Sequence, residues 1–496
     1  MAEPHPKIDT SPAIQAPIDT LPNELLSDIL MMSAVSPPVD PEQLPFALLV
    51  SSISRRWREV AILSQALWSE LFFTADPRSE SWCTNLFLPR SGTHPLDISI
   101  NLLRRRESMH MPVVTIINKL LPHCDRWRKL CIRKVYGIET CAIQHMIQDI
   151  SVPLLQHFEL LCDRECIDED GPHVPSLVDG APALTSVKLR GLCLECVPPL
   201  ANLTSFQYTS KASSVTQSQM ESLVAASPAL RVLHLRLIGF EASESGPINI
   251  PSLRELSLNF RSWDPFDTEP LHLFASMVAP ALESLELVSL NATPGDLNAL
   301  FQRFPNYPHP QTLKLSKFLL AGLASWDTLL GLFPTVTSLY LLAPTAEPTL
   351  SLLPALKSVT YHLNHTMWHE SCVQWLCRHV QDCQGTPRAM KTVRIGHGMP
   401  GGIVYSANYR TLQDLVDLEE LPDDADSLQN AWIEDDELES EEEDDESEEE
   451  DDESDEEDDE EDLGDLWEDQ WEDENSDYEL GSEDENEWGS DYVVEV

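Results

Sequence analysis

The chain has 496 residues and 84 acidic against 32 basic side chains, a formal net charge of −52, with 42% hydrophobic residues. That length and apolar content suit two or three domains with sizeable cores. The charge argues against nucleic acid as a partner, since a polyanion meets long-range repulsion, and 18 glycines leave little backbone for cradling phosphates.

In chain order, residues 1–19 are rich in proline and alanine and carry no apolar h-region, so they read as a disordered tail rather than an export signal. No apolar run approaches the roughly 18 to 20 residues that span a bilayer. Eleven irregularly spaced cysteines do not make a disulfide framework. Together these features predict a cytoplasmic or nuclear protein. Residues 20–75 form a short, strongly apolar block. Leu21, Leu25, Ile29 and Leu30 recur at helical spacing, with Pro22 where a first turn tolerates a missing N–H. Past a proline-rich loop come Leu44, Phe46, Leu48, Leu49 and Val50, then an amphipathic segment around Ser54-Arg55-Arg56-Trp57-Arg58, then Leu67-Trp68. So small a block buries too little of its apolar surface to stand alone, which predicts a partner.

Leu-Pro-x-Glu-Leu-Leu-x-x-Ile-Leu from Leu21, Val50-Ser51 before the basic Trp57-Arg58, and the closing Leu67-Trp68 resemble an F-box of the divergent kind that fungi encode in numbers. The Ser33–Gln43 loop is longer than the compact form, and Ser54 stands where Cys is commoner. The resemblance covers about fifty residues. It implies three helices that dock on a Skp-type adaptor and join a cullin ligase core, presenting a protein substrate for ubiquitination. Leu21, Pro22, Leu25, Ile29, Leu30 and Val50 would face the adaptor, with Trp68 closing the contact and Trp57 packing the block's own core.

Residues 76–400 repeat one phrase, in which Pro-x-apolar is followed by apolar-x-apolar. It ends at Leu189, Leu235, Leu258, Leu287, Leu341 and Tyr361, with degenerate copies ending at Ile132, Leu160, Tyr208, Leu315 and Ile395. Copies about 19 to 34 residues apart fall in the solenoid range. Each phrase alternates like a half-buried strand. Helical patterns over 219–224, 295–301 and 326–330 lie between, so a strand–helix unit buries its apolar face by stacking on its neighbours. The fold class predicted is therefore α/β. The array resembles an irregular leucine-rich-repeat solenoid, with parallel strands on a concave face, helices outside and no regular asparagine ladder. Residues alternating with the buried ones then line the concave face: Glu159, Lys188, Arg190, His234, Arg236, Ser257, Asn259, Glu286, Lys314, Ser316, Tyr340, Thr360, His362 and Arg394. Lys188, Arg190, His234, Arg236, Asn259, Lys314, Tyr340 and His362 form the candidate substrate-binding set.

Two clusters invite metal chemistry. Cys162 and Cys166 with Cys193-x-x-Cys196 offer four thiolates, and His362, His365, His369 and Cys372 lie close together. The cysteines follow strands, where free Cys commonly fills apolar corners, and His365-x-x-x-His369 lacks the Glu that activates water. Packing is the better account of both, and no metal or cofactor is expected. Arg104-Arg105-Arg106 and Arg126-Trp127-Arg128-Lys129 are basic clusters for which packing again suffices. No nucleophile elbow or dinucleotide fingerprint is present, so no catalytic residue is assigned.

Residues 401–433 read as a linker. From Glu434 to Val496, 39 of 63 residues are acidic and none is Lys or Arg, leaving 45 acids against 32 bases in the first 433. Such a segment repels itself and buries too little to order, so it is predicted disordered. Trp432, Trp467, Trp471, Tyr478, Trp488 and Tyr492 punctuate its acids as potential anchors for a basic protein, and Ser440, Ser447, Ser454, Ser476 and Ser482 precede acids as acidophilic kinases favour. The tail is also a candidate to fold back on Lys188, Arg190, Arg236 and Lys314. A repeat body with such a tail is similar to the acidic leucine-rich nuclear phosphoproteins as well. The alternative function is therefore binding or chaperoning histones and other basic proteins, although that family lacks a front block of this kind.

Overall fold

The computed structural model describes residues 17–421 except 34–43, 75, 103–111, 136, 163–176, 178–179, 195–197, 211–213, 244–245, 261–268, 290–294, 296, 299–308, 317–322, 343–348, 363–368, 387 and 397–406. Three helices open it: α1 (Asn23–Ser33), α2 (Phe46–Ile53) and α3 (Arg55–Leu63). Ser54 separates the last two. Its extended backbone ends α2, and its hydroxyl accepts from Trp57 N at 3.2 Å to cap α3. α1 is tied to α3 by Arg56, which bonds Asn23 Oδ1 at 3.0 Å and the Leu21 carbonyl, and by Ser27 Oγ against Ser64 Oγ at 2.7 Å. Trp68 joins this block to the body of the chain: its Nε1 donates to Ala61 O, Phe87 meets it edge-on at 5.0 Å, and the Arg90 guanidinium lies 4.4 Å over its ring.

Two residues later the sheet begins. Its strands are β1 (Glu70–Thr74), β2 (Leu96–Asn101), β3 (Trp127–Val135), β4 (His157–Cys162), β5 (Ser186–Arg190) and β6 (Ser205–Thr209), with a side strand β7 (Val215–Thr216) before β8 (Val232–Leu237). The two-residue β9 (Phe240–Glu241) pairs with β7, and β10 (Ile248–Asn249) pairs with β12 (Met277–Val278). Between and after them the main sheet continues through β11 (Glu255–Phe260), β13 (Ser284–Val288), β14 (Thr312–Ser316), β15 (Ser338–Leu342), β16 (Ser358–His362), β17 (Thr392–Gly396) and β18 (Asp417–Leu421). Among the described residues the main sheet has 14 strands, ordered as in the sequence, and every neighbouring pair is parallel. The α/β class holds, and every repeated phrase named from the sequence ends in one of these strands. The boundaries move outward. The sheet starts at Glu70, inside the span given to the front block, and reaches Leu421 through the helix Ala407–Leu415, inside the span read as linker. Of the predicted helices, 219–224 and 326–330 lie within Gln217–Ala226 and Leu323–Gly331, while 295–301 falls largely outside the described residues.

Two rows of apolar side chains run through the sheet. One passes Leu130, Phe158, Val187, Phe206, Leu233, Leu256 and Leu285, the other Ile132, Leu160, Leu189, Tyr208, Leu235, Leu258 and Leu287. All are buried, each in register with the next. No strand buries its leucines alone; each row is one continuous core shared by neighbours. The Pro-x-apolar part of each phrase is a turn. Pro182, Pro228, Pro251, Pro280, Pro334 and Pro354 stand second in it, where fixed φ is an advantage, and Leu184, Leu230, Leu253, Leu282, Val336 and Leu356 donate to the carbonyl three residues back at 3.0–3.2 Å. In place of an asparagine ladder, backbone carbonyls link the repeats. Those of Gln156, Thr185, Thr204, Arg231, Arg254, Glu283, Gln311 and Thr337 each accept two consecutive N–H groups from the next repeat. Thr185, Thr204 and Thr337 reinforce this with their hydroxyls. Gly191, at φ +67°, turns the chain after β5 where a Cβ would meet the Cys162 carbonyl at 2.9 Å.

Candidate interaction surfaces

The helical block presents two apolar stripes. Leu26 and Leu30 of α1, Ala47 and Val50 of α2, and Val60 and Ala61 of α3 turn inward. The outward stripe is made of larger residues. Leu25 is 50% exposed, Met32 70% and Leu63 81%, and Ile29, Leu44, Leu49, Ile53 and Ile62 are exposed too. Monomeric proteins seldom gather so many large apolar side chains on one small exposed block. Of the predicted adaptor-facing residues, Leu25, Ile29 and Pro22 are exposed and Leu21 is half-buried. Leu30, Val50 and Trp68 are a correction: at 2% exposure or less they belong to the chain's own interior. The reason is local. Leu30 lies one turn from Leu26 on the inward stripe, Val50 is buried in the same core, and Trp68 packs against Phe87 and Arg90. Trp57 packs partly buried against the core.

The polar face of the sheet resolves the predicted ladder into two rows. In the central row Cys131, Glu159, Lys188, Gln207, His234, Ser257, Glu286, Lys314, Tyr340, Thr360, Arg394 and Glu419 stand side by side in register. Nearer the strand C-termini run Arg190, Thr209, Arg236, Asn259, Val288, Ser316, Leu342 and His362. Lys188, His234, Lys314 and Tyr340 keep part of their surface open. Arg190, Arg236 and Asn259 are corrections to the expected open ladder, being 2%, 4% and 7% exposed. Strands stand only about 4.8 Å apart, so long side chains in one row lie against their neighbours' stems. Of His362 only the backbone is described, at the end of β16.

Charge on this face is largely paired across strands. Arg128 grips Asp97 with two bonds of 2.6–2.7 Å, Ser257 donates to Glu286 at 2.6 Å, and Arg394 holds Glu419 at 2.5 Å. His234 Nε2 is 3.4 Å from Glu255, and its hydrogen bond lowers that carboxyl's pKa against the opposing effect of burial. The Lys314 ammonium lies 5.9 Å over the Tyr340 ring. Arg126 bonds Ser91 Oγ and the His94 carbonyl, so with Arg128 the basic cluster at 126–129 serves packing. Arg104 to Arg106 lie outside the described residues.

Among the described residues Glu159 is the most perturbed carboxyl. Burial opposes its ionisation, but hydrogen bonds from His157 and Arg133 and the charges of Arg133 and Lys188 outweigh it and hold the pKa at about 2. Arg133 Nε lies 2.8 Å from Oε1; His157 Nε2 lies 3.5 Å from Oε2, and its Nδ1 is 3.1 Å from Ser186 Oγ. Cys131, in register beside Glu159, has its thiol pushed up to about 12 by burial and by that carboxylate. Cys131 carries no signal in the sequence, because strand register across 28 residues brings it to Glu159, which stands two residues from His157 on β4. The Cys and His clusters that the sequence does suggest fare differently. Cys166, Cys196 and His365 lie outside the described residues, Cys162 takes a bond from Thr140 Oγ1, and buried Cys372 sits 2.9 Å from the Tyr361 hydroxyl.

Among the described residues no helix is long and apolar enough to cross a membrane. No family model matches the chain, and no curated protein matches it. Among solved structures, one titled as the crystal structure of a TLR13–ssRNA13 complex aligns with 71% of this chain and 59% of its own length, at 12% identity and a TM-score of 0.18. The chain thus spans less than two thirds of that protein, and a likeness this slight carries no argument about fold or ligand.

Proposed function

We propose that the chain is a non-catalytic substrate receptor. Its helical front is an F-box that docks on a Skp-type adaptor of a cullin ubiquitin ligase, and its leucine-rich-repeat body holds the target protein on the polar face. One observation carries this reading: the outward stripe of Leu25, Ile29, Met32, Leu49, Ile53 and Leu63 stays open although a large core lies immediately behind it. Each such side chain covered by a partner contributes roughly 1.5 to 3 kcal/mol. The reaction is then one of proximity: the receptor holds a target lysine near a ubiquitin carrier, and no side chain of its own does chemistry. The half-open Lys188, His234, Lys314 and Tyr340 are the target contacts in this reading.

Leu25→Asp with Ile29→Asp, expressed with a Skp-type adaptor, is expected to abolish co-purification while the melting temperature of the body is kept. Retained co-purification would overturn the proposal. The second reading, a binder or chaperone of basic proteins, draws on the 39 carboxylates of residues 434–496. It predicts capture of purified core histones that is lost on deleting those residues and that does not depend on Leu25 or Ile29.

A further inference from the structure

We propose that Cys131, His157 and Glu159 form a site on the polar face for one thiophilic divalent transition-metal ion of the Zn(II)/Co(II) class. A thiol sulfur, an imidazole nitrogen and a carboxylate oxygen lie within 4.8 Å of one another, held by the two paired strands β3 and β4. The Nε2–Oε2 separation of 3.5 Å is long for a hydrogen bond, whose N···O distance is about 2.7–3.2 Å. It is close to the roughly 3.3 Å between two ligand atoms that each sit about 2.0 Å from one tetrahedral ion. The widest spacing in the cluster needs to close by about 1 Å, which side-chain rotation supplies.

The surroundings fit that assignment. Ser186 Oγ sits 3.1 Å from His157 Nδ1; when the ion takes the place of the proton that Nε2 shares with Glu159, the ring proton sits on Nδ1 and is donated to Ser186, the outer-shell arrangement usual for a ligating histidine. Arg133 donates from Nε to Oε1 at 2.8 Å and more weakly from Nη2 to Oε2 at 3.3 Å, so an ion on Oε2 displaces the longer bond while the shorter one keeps orienting the carboxylate. The His157 side chain is partly exposed, which leaves a path for the ion and a solvent-facing fourth position. Binding replaces the Cys131 thiol proton, which leaves to water. One thiolate, one carboxylate and one divalent ion then sum to zero charge. Lys129, Arg133 and Lys188 act electrostatically on Cys131 or Glu159 and lower the affinity below what the three ligands alone would give.

The test uses the full chain, reduced and freed of metal, titrated with Co(II). The expected result is one equivalent with thiolate-to-cobalt charge-transfer absorption that Zn(II) displaces; the carboxylates of residues 434–496 bind Co(II) without such a band. Cys131→Ala is expected to abolish the band, His157→Ala to weaken binding at least tenfold, and Ser186→Ala to weaken it about tenfold, all with unchanged circular dichroism. If Cys131→Ala fails to fold, the partly exposed His157→Ala decides. No thiolate band in the wild type, or a band of equal strength in Cys131→Ala or His157→Ala, would overturn the site.

Discussion

Glu159 shows how much one carboxylate depends on its neighbours. It is almost wholly buried yet ionised, because Arg133 and His157 replace the water it gave up. Its folded pKa of about 2 lies below the ordinary 4.5, so its stabilisation is fully present above pH about 4.5 and is lost as pH falls toward 2. In chelator-treated protein, urea midpoints measured between pH 5 and pH 2 should therefore fall more steeply for the wild type than for Glu159→Gln. Arg133→Met at pH 7 leaves the carboxylate buried beside a poorer partner and should cost about 2 kcal/mol. That is below the roughly 3 to 5 kcal/mol of a fully buried pair, because the guanidinium is 40% exposed and partly screened. A midpoint unchanged by Arg133→Met would show that water or another cation takes over.

Within elements, the informative case is α1. Its sequence carries two apolar stripes one residue apart, Leu25-Ile29-Met32 and Leu26-Leu30, and periodicity alone cannot say which faces in. The structure buries the second, because Ser27 and Arg56 set the rotation of α1 against α3. Leu26→Ala should then cost about 2–5 kcal/mol, and Leu25→Ala less than about 0.5 kcal/mol in the isolated chain. The reverse order in denaturant midpoints would mean that α1 is rotated. The strands are easier to read, since apolar-x-apolar after Pro-x-apolar leaves one alternation. The closing helix and strand escape that reading because 407–421 lacks the proline turn; β18 instead pairs with β17 through the carbonyl of Lys391 and five registered residues.

For the molecule as a whole, a sheet whose strands meet only their neighbours has two vulnerable ends. β1 follows directly on the helical block, and β18 forms the other edge of the sheet. A chain ending at 406 would bare the edge of β17, with Val393 and Ile395 newly uncovered, and should lose several degrees of melting temperature and self-associate. A chain ending at 421 should melt within about 2 °C of full length and keep the oligomeric state of the full chain by size-exclusion chromatography. The same scale limits the idea that the acidic C-terminus covers the polar face: of the four cations offered to it, Arg190 and Arg236 are already buried, leaving Lys188 and Lys314.

What the linear chain determined by itself is local and repetitive. Leucine alternation, prolines that set the turns and the run of carboxylates after 434 act through near neighbours, and they dictate strands, turns and charge wherever they occur. What only the folded protein decided is which of two equivalent stripes faces water, which ladder arginines are covered, and that Cys131, His157 and Glu159 share one spot. Those outcomes depend on helix rotation and strand register, set by contacts between residues tens of positions apart, and no local pattern encodes them.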